Sequence, residues 1–165
     1  MNKKNIILTG MPGSGKSTIG KILKLENYTF VDTDEEIEKR CSCSIKELIQ
    51  TKGEEYFRNL ETQIIKEFSS KKYLIISTGG GAILREENIN SLKENGIIFF
   101  INAKLERLSA SDSRPLSDTK EKLIQFYNER INLYISSADI IVPDMSSAKQ
   151  EADFILEKFK ELIQG

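Results

Sequence analysis

The sequence contains no histidine. Without an imidazole, serine–histidine nucleophilic chemistry is excluded, and carboxylates or lysine remain as candidate proton acceptors. Cysteine is scarce: Cys41 and Cys43, one residue apart, are the two in the chain. With no histidine to complete a ligand set they give no zinc site. In a reducing compartment two free thiols near a helix end are a simpler reading than a redox pair. No apolar stretch approaches the ~20 residues of a membrane span, and Met1-Asn2-Lys3-Lys4 runs into a short strand pattern instead of a signal-peptide core. A cytoplasmic location without membrane contact is expected. Net charge is also small, 24 Lys and Arg against 25 Asp and Glu for −1 at pH 7, so there is no broad field for nucleic acid. Any anionic ligand must be met by local charges. The 165 residues are expected to form one domain, 1–165, burying roughly 70% of the unfolded surface.

What is present is concentrated first in Gly10-Met11-Pro12-Gly13-Ser14-Gly15-Lys16-Ser17-Thr18, a complete phosphate-binding loop. It follows the apolar run Asn5–Thr9, which reads as a buried strand, and precedes Thr18-Ile19-Gly20-Lys21-Ile22-Leu23, whose apolar spacing is helical. The glycines let successive N–H groups turn inward around phosphate oxygens, and the helix N-terminus adds partial positive charge there. Lys16 is placed to reach terminal phosphates, and the Ser17 hydroxyl to ligate Mg²⁺. A nucleotide polyphosphate is implied.

Short apolar runs recur at 5–9, 28–31, 73–77, 97–101 and 139–142, separated by helical patterns near 16–25, 35–41, 44–51, 53–69, 85–94, 104–109, 119–136 and 146–164. This alternation predicts an α/β fold, a parallel sheet wrapped by helices, with ligands beyond the carboxyl ends of its strands. Two insertions stand out. Residues 35–70 supply helices enough for a small substrate-binding lobe, and the small, polar stretch 109–118, with Arg114 before Pro115, has the composition of a mobile lid.

Several residues after the strands carry candidate chemistry. Asp32 and Asp34 lie at the tip of the second strand, where an extended chain would point both to one side. One is suited to hold Mg²⁺ and the other to orient a hydroxyl and accept its proton. Capping of a helix start is the competing explanation. A carboxylate of ordinary pKa is a weak base, but a loose phosphoryl-transfer transition state asks mainly for alignment. Arg58 and Glu61 are i, i+3 on a helix, either an exposed pair worth ~0.2–0.5 kcal/mol or a guanidinium held for a substrate carboxylate. Ser77-Thr78-Gly79-Gly80-Gly81 ends the third strand in a loop against which a ligand can lie directly. Arg114 could swing onto a transferring phosphoryl group. Arg130-Ile131-Asn132-Leu133-Tyr134 lies late in a helix and by itself says little.

Taken in order, the phosphate loop, Asp32-Thr33-Asp34, Phe57-Arg58-Asn59-Leu60-Glu61, Ser77-Thr78-Gly79-Gly80-Gly81, Arg114-Pro115-Leu116 and Arg130-Ile131-Asn132-Leu133-Tyr134 resemble shikimate kinase over nearly the whole chain. The resemblance implies a three-layer P-loop kinase fold with a central parallel five-stranded sheet. It implies transfer of the ATP γ-phosphoryl group to the 3-hydroxyl of shikimate, by a monomer. Gly13, Ser14, Gly15, Lys16, Ser17 and Thr18 would hold ATP, Ser17 and Asp32 the magnesium. Asp34 would contact the shikimate hydroxyls and act as base, with Lys16 and Arg114 on the phosphates. Gly80 and Gly81 would lie beside the ring, Arg58 and Arg130 would clamp its carboxylate, and Arg107 would stand against adenine. The chain departs from the family at Ser117, where a second leucine is usual, in Pro143–Ser147, which lacks an arginine, and in the short link 24–27. Another small-molecule kinase of the same superfamily would leave the acidic pair, the glycines and the two arginines unexplained. A GTPase switch would need an Asn-Lys-x-Asp motif, which is absent.

Overall fold

The computed structural model describes residues 4–108, 116 and 118–165. Five parallel strands, β1 (Asn5–Thr9), β2 (Thr29–Asp32), β3 (Leu74–Ser77), β4 (Gly96–Asn102) and β5 (Ile140–Pro143), form one sheet in the order β2-β3-β1-β4-β5. β1 is central, with Ile7 opposite both Ile76 and Ile98. The expected three-layer α/β architecture is present.

The strands read as continuous apolar runs because both faces are covered. Along β1 and β4 the pleat sends Ile6, Leu8, Ile97, Phe99 and Ile101 into one core, which they share with Ile19, Ile155 and Phe159 of α1 (Lys16–Ile22) and α7 (Ala148–Gln164). The alternate residues Ile7, Ile76 and Ile98 face a second core with Ile65 and Leu92. These come from α4 (Glu54–Ser69) and α5 (Glu86–Asn95). Beside the phosphate loop, Met11, Ile83 and Phe100 meet Leu123 and Tyr134 of α6 (Lys120–Ser137).

The inserted lobe has its own small core. Ile37 of α2 (Thr33–Cys41), Leu48 of α3 (Ile45–Lys52), and Phe57 and Ile64 of α4 pack together. These three helices make up the 35–70 insertion, and α2 also contacts β2. Cys41 and Cys43 pack against this core as free thiols.

Several element boundaries differ from expectation. The first helix ends at Ile22, not near residue 25. Tyr28 N–H bonds Leu25 O at 3.1 Å and Asn27 takes φ 66°, so the link 24–27 turns the chain sharply into β2. The helix expected over 104–109 is a single 3-10 turn, Leu105–Arg107. α2 begins at Thr33, two residues early. No helix of the described residues is long and apolar enough to cross a membrane.

Candidate active site

The carboxyl ends of β1, β2 and β3 open onto a cavity of about 230 Å³. Its walls come from the phosphate loop, the start of α2, the lobe helix α4, the glycine loop and α6. Of the expected site residues, Gly13, Gly15, Lys16, Ser17, Thr18, Asp32, Asp34, Arg58, Gly80, Gly81 and Arg130 all line it. Ser14 lies in the same loop, buried, its amide bonded to Met11 O at 3.1 Å.

The phosphate loop folds as its composition requires. Gly13 and Gly15 take φ 80° and 93°, the left-handed region that costs a side chain most. Gly15 is the N-cap of α1, so the free N–H groups of the helix start are left for a ligand. Lys16 is buried and donates to the carbonyls of Gly10 (2.8 Å) and Met11 (2.9 Å), curled over its own loop.

Asp32 and Asp34 reach one side of the site, but not along an extended strand. Asp32 ends β2 and caps α2, accepting from the amides of Asp34 (3.0 Å) and Glu35 (3.2 Å) with one oxygen. Its other oxygen accepts from the Ser17 hydroxyl. Asp32 therefore caps α2 with one carboxylate oxygen and meets Ser17 of the phosphate loop with the other. Asp34 sits in the first helical turn, with Oδ1 buried and lacking a hydrogen-bond partner among the described residues. Burial pushes its pKa up to about 7, the negative charges of Glu61 and Asp32 add to the rise, and Lys16 and Arg58 oppose it. The expectation of an ordinary carboxylate is thus corrected.

Arg58 and Glu61 are not an exposed pair. Arg58 is 9% exposed and Glu61 0%, with Nη1 to Oε1 at 2.9 Å. Burial nevertheless raises the Glu61 pKa, outweighing the pull of Arg58. Glu54 lies 3.6 Å from Arg58 Nε at the outer edge. Across the cavity Arg130 is 5% exposed, its guanidinium 3.9 Å from the ring centroid of Phe126.

Gly79, Gly80 and Gly81 are tight because other residues press on them. A Cβ on Gly79 would stand 2.7 Å from Asp34 Oδ1 and 2.8 Å from Glu61 Oε2. On Gly80 it would meet Pro12 Cδ at 2.7 Å, and on Gly81 the Arg58 Cζ at 2.6 Å. The triplet is a cradle for the site's own side chains as well as room for a ligand. Gly79 N–H also bonds Thr33 Oγ1 at 3.1 Å, joining the cradle to α2. Sequence reasoning gave Thr33 no role; the signal was its place between the two aspartates.

Arg107 is not among the residues lining this cavity. It pairs with Asp144, donates to Met145 O at 2.9 Å and lies 3.7 Å from Glu151, beyond the ends of β4 and β5. Arg114 and most of the 109–118 lid lie outside the described residues. Leu116 is described and lines the cavity.

The shikimate kinase family model matches residues 12–162. A shikimate kinase of Caldicellulosiruptor bescii is 39% identical over 160 residues, 88% of this chain and 92% of its own. Among solved structures, shikimate kinase from Acinetobacter baumannii in complex with shikimate superposes with TM-score 0.91 at 32% identity, covering 97% of this chain and 94% of that one. Shikimate kinase from Aquifex aeolicus gives 0.83 at 37% identity, covering 98% and 99%.

Proposed function

Because the chain belongs to the shikimate kinase family and so catalyses ATP-dependent phosphorylation of the shikimate 3-hydroxyl, we propose a role for each side chain of its cavity. The observation that carries this assignment is a set of four buried polar atoms, Asp34 Oδ1, Glu61 Oε2, Arg58 Nε and Arg130 Nε. None has a hydrogen-bond partner among the described residues, and all belong to residues lining the cavity beside the phosphate loop. A ligand bearing hydroxyls at one end and a carboxylate at the other would satisfy that set.

The amides of Gly13 to Thr18 surround the ATP phosphates, and Lys16 moves its ammonium from the loop carbonyls to the terminal phosphate. Ser17 and Asp32 bring a hydroxyl and a carboxylate oxygen together, hard donors of the kind Mg²⁺ prefers. The residues therefore fit a magnesium ion, which when bound neutralises phosphate charge. Asp34 receives the proton of the 3-hydroxyl, and a pKa near 7 makes it a better acceptor than an ordinary aspartate. Arg58 and Arg130 grip the shikimate carboxylate, Arg58 held in place by Glu61 and Arg130 by Phe126. The Gly80 and Gly81 backbone passes beside the ring. Arg114, outside the described residues, is assigned to the phosphates on the family resemblance alone, and Arg107 marks the adenine end beyond β4. The enzyme works as a monomer in the cytoplasm, where the free thiols Cys41 and Cys43 stay reduced.

The assignment is tested by coupled ADP release with shikimate, gluconate or a nucleoside monophosphate as acceptor, for the wild type and Arg58→Ala. Turnover with shikimate and a ~2–5 kcal/mol loss of shikimate affinity in Arg58→Ala are expected, partly from the buried partner left unpaired. Unchanged shikimate affinity in the variant would remove Arg58 from the clamp.

A further inference from the structure

Tyr134 has no part in the roles given above, yet it is among the most thoroughly buried side chains of the molecule, 0% exposed. Its ring stacks on Phe100 of β4, centroids 5.0 Å apart and planes within 6°. Packing alone would be served equally by phenylalanine. The hydroxyl is costly to bury unless it is paired, and it donates to the carbonyl of Gly80, 54 positions away in sequence.

Gly80 is the middle residue of the glycine cradle, and Pro12 of the phosphate loop presses on its other side, leaving no room for a Cβ. The loop is thus held between α6 and the phosphate loop. On α6, Phe126, Arg130 and Tyr134 are spaced i, i+4 and i+8, so they share one helix face. Phe126 carries the Arg130 guanidinium on its ring, and Tyr134, one turn further on, ties that face to Gly80.

We propose that Tyr134 is a positioning residue for the acceptor: its bond to the Gly80 carbonyl fixes the distance between the glycine cradle and the Arg130 guanidinium. Tyr134 touches neither substrate and moves no proton. This rests on the reading that Arg130 meets the shikimate carboxylate. The hydroxyl sets the spacing between two binding elements that belong to different layers of the fold.

The test is Tyr134→Phe in the full chain, with KM measured for each substrate, the shikimate Kd measured by calorimetry, and the melting temperature recorded. Loss of one aligned hydrogen bond should raise the shikimate KM and Kd by about tenfold. The KM for ATP should stay within about twofold and kcat within about threefold, a split that a general loss of packing would not produce. Shikimate Kd within about twofold of wild type overturns the proposal whatever the melting temperature does, as do equal losses for both substrates. Arg130→Ala, run in parallel, separates the two readings. Undiminished shikimate binding there defeats the clamp itself, whereas a loss there with none in Tyr134→Phe defeats only the role of Tyr134.

Discussion

Glu61 holds Arg58 with one oxygen only: Oε1 lies 2.9 Å from Nη1, while Oε2, equally buried, has no hydrogen-bond partner among the described residues. The pair is thus a support with unspent capacity facing the cavity. Glu61→Ala would leave the guanidinium buried without its main counter-charge, Glu54 remaining only at 3.6 Å. Removing one partner of a buried pair costs about 3–5 kcal/mol. Urea unfolding of the empty enzyme should show a loss at the lower end of that range, with shikimate KM rising more than ATP KM. A loss under about 1 kcal/mol would mean the pair behaves as an exposed one.

The glycine cradle separates two functions by position. Gly79→Ala brings its methyl against Asp34 and Glu61, whereas Gly81→Ala brings it against Arg58. Overpacking of this kind costs about 1–3 kcal/mol. Steady-state kinetics should therefore show Gly79→Ala acting mainly on kcat and Gly81→Ala mainly on shikimate KM, each by about 10–100-fold. Identical profiles for the two variants would contradict separate contacts.

Asp34 predicts opposite responses of stability and activity to pH. Its folded pKa, about 7, exceeds the ordinary 3.8, so the folded state holds the proton more tightly than the unfolded chain. The stabilisation from that proton is full below pH 3.8 and is lost as pH rises to about 7. Asp34→Asn should therefore raise the melting temperature of the empty enzyme at pH 8, and the gain should shrink on titration toward pH 4. Activity moves the other way: kcat/KM of the wild type should fall below about pH 7 as Asp34 takes up its proton, and kcat of Asp34→Asn should be severely reduced throughout. A melting-temperature gain independent of pH would contradict burial as the cause.

Lys16 donates to two carbonyls of its own loop, so it is already poised over the phosphate position. Lys16→Met keeps the stem and removes the charge. Turnover should fall by at least about 10²–10³-fold, with far-UV circular dichroism unchanged. Retained activity would remove Lys16 from the mechanism.

How much of this was legible beforehand differs from element to element. β1, the phosphate loop and α1 were readable because their signal is local: glycines at fixed offsets between an apolar run and a helical repeat. The start of α2 was placed two residues late because Asp32 ends the strand, caps the helix and bonds Ser17 at once. The helix expected over 104–109 shrank to one turn, Leu105–Arg107, whose Arg107 is held by Asp144 from the far end of the chain.

The order of motifs along the chain determined the phosphate chemistry, the parallel sheet and the residues gathered at its carboxyl edge. Only the folded arrangement decided that Arg58 and Glu61 are buried, that Asp34 has a pKa near 7, that each glycine of the triplet is pressed by a different side chain, and that Tyr134 reaches Gly80. The reason is physical. Periodicity and turn chemistry act between neighbours in sequence, whereas desolvation and close approach depend on which distant elements pack together, as α4, α6 and the β3 loop do here.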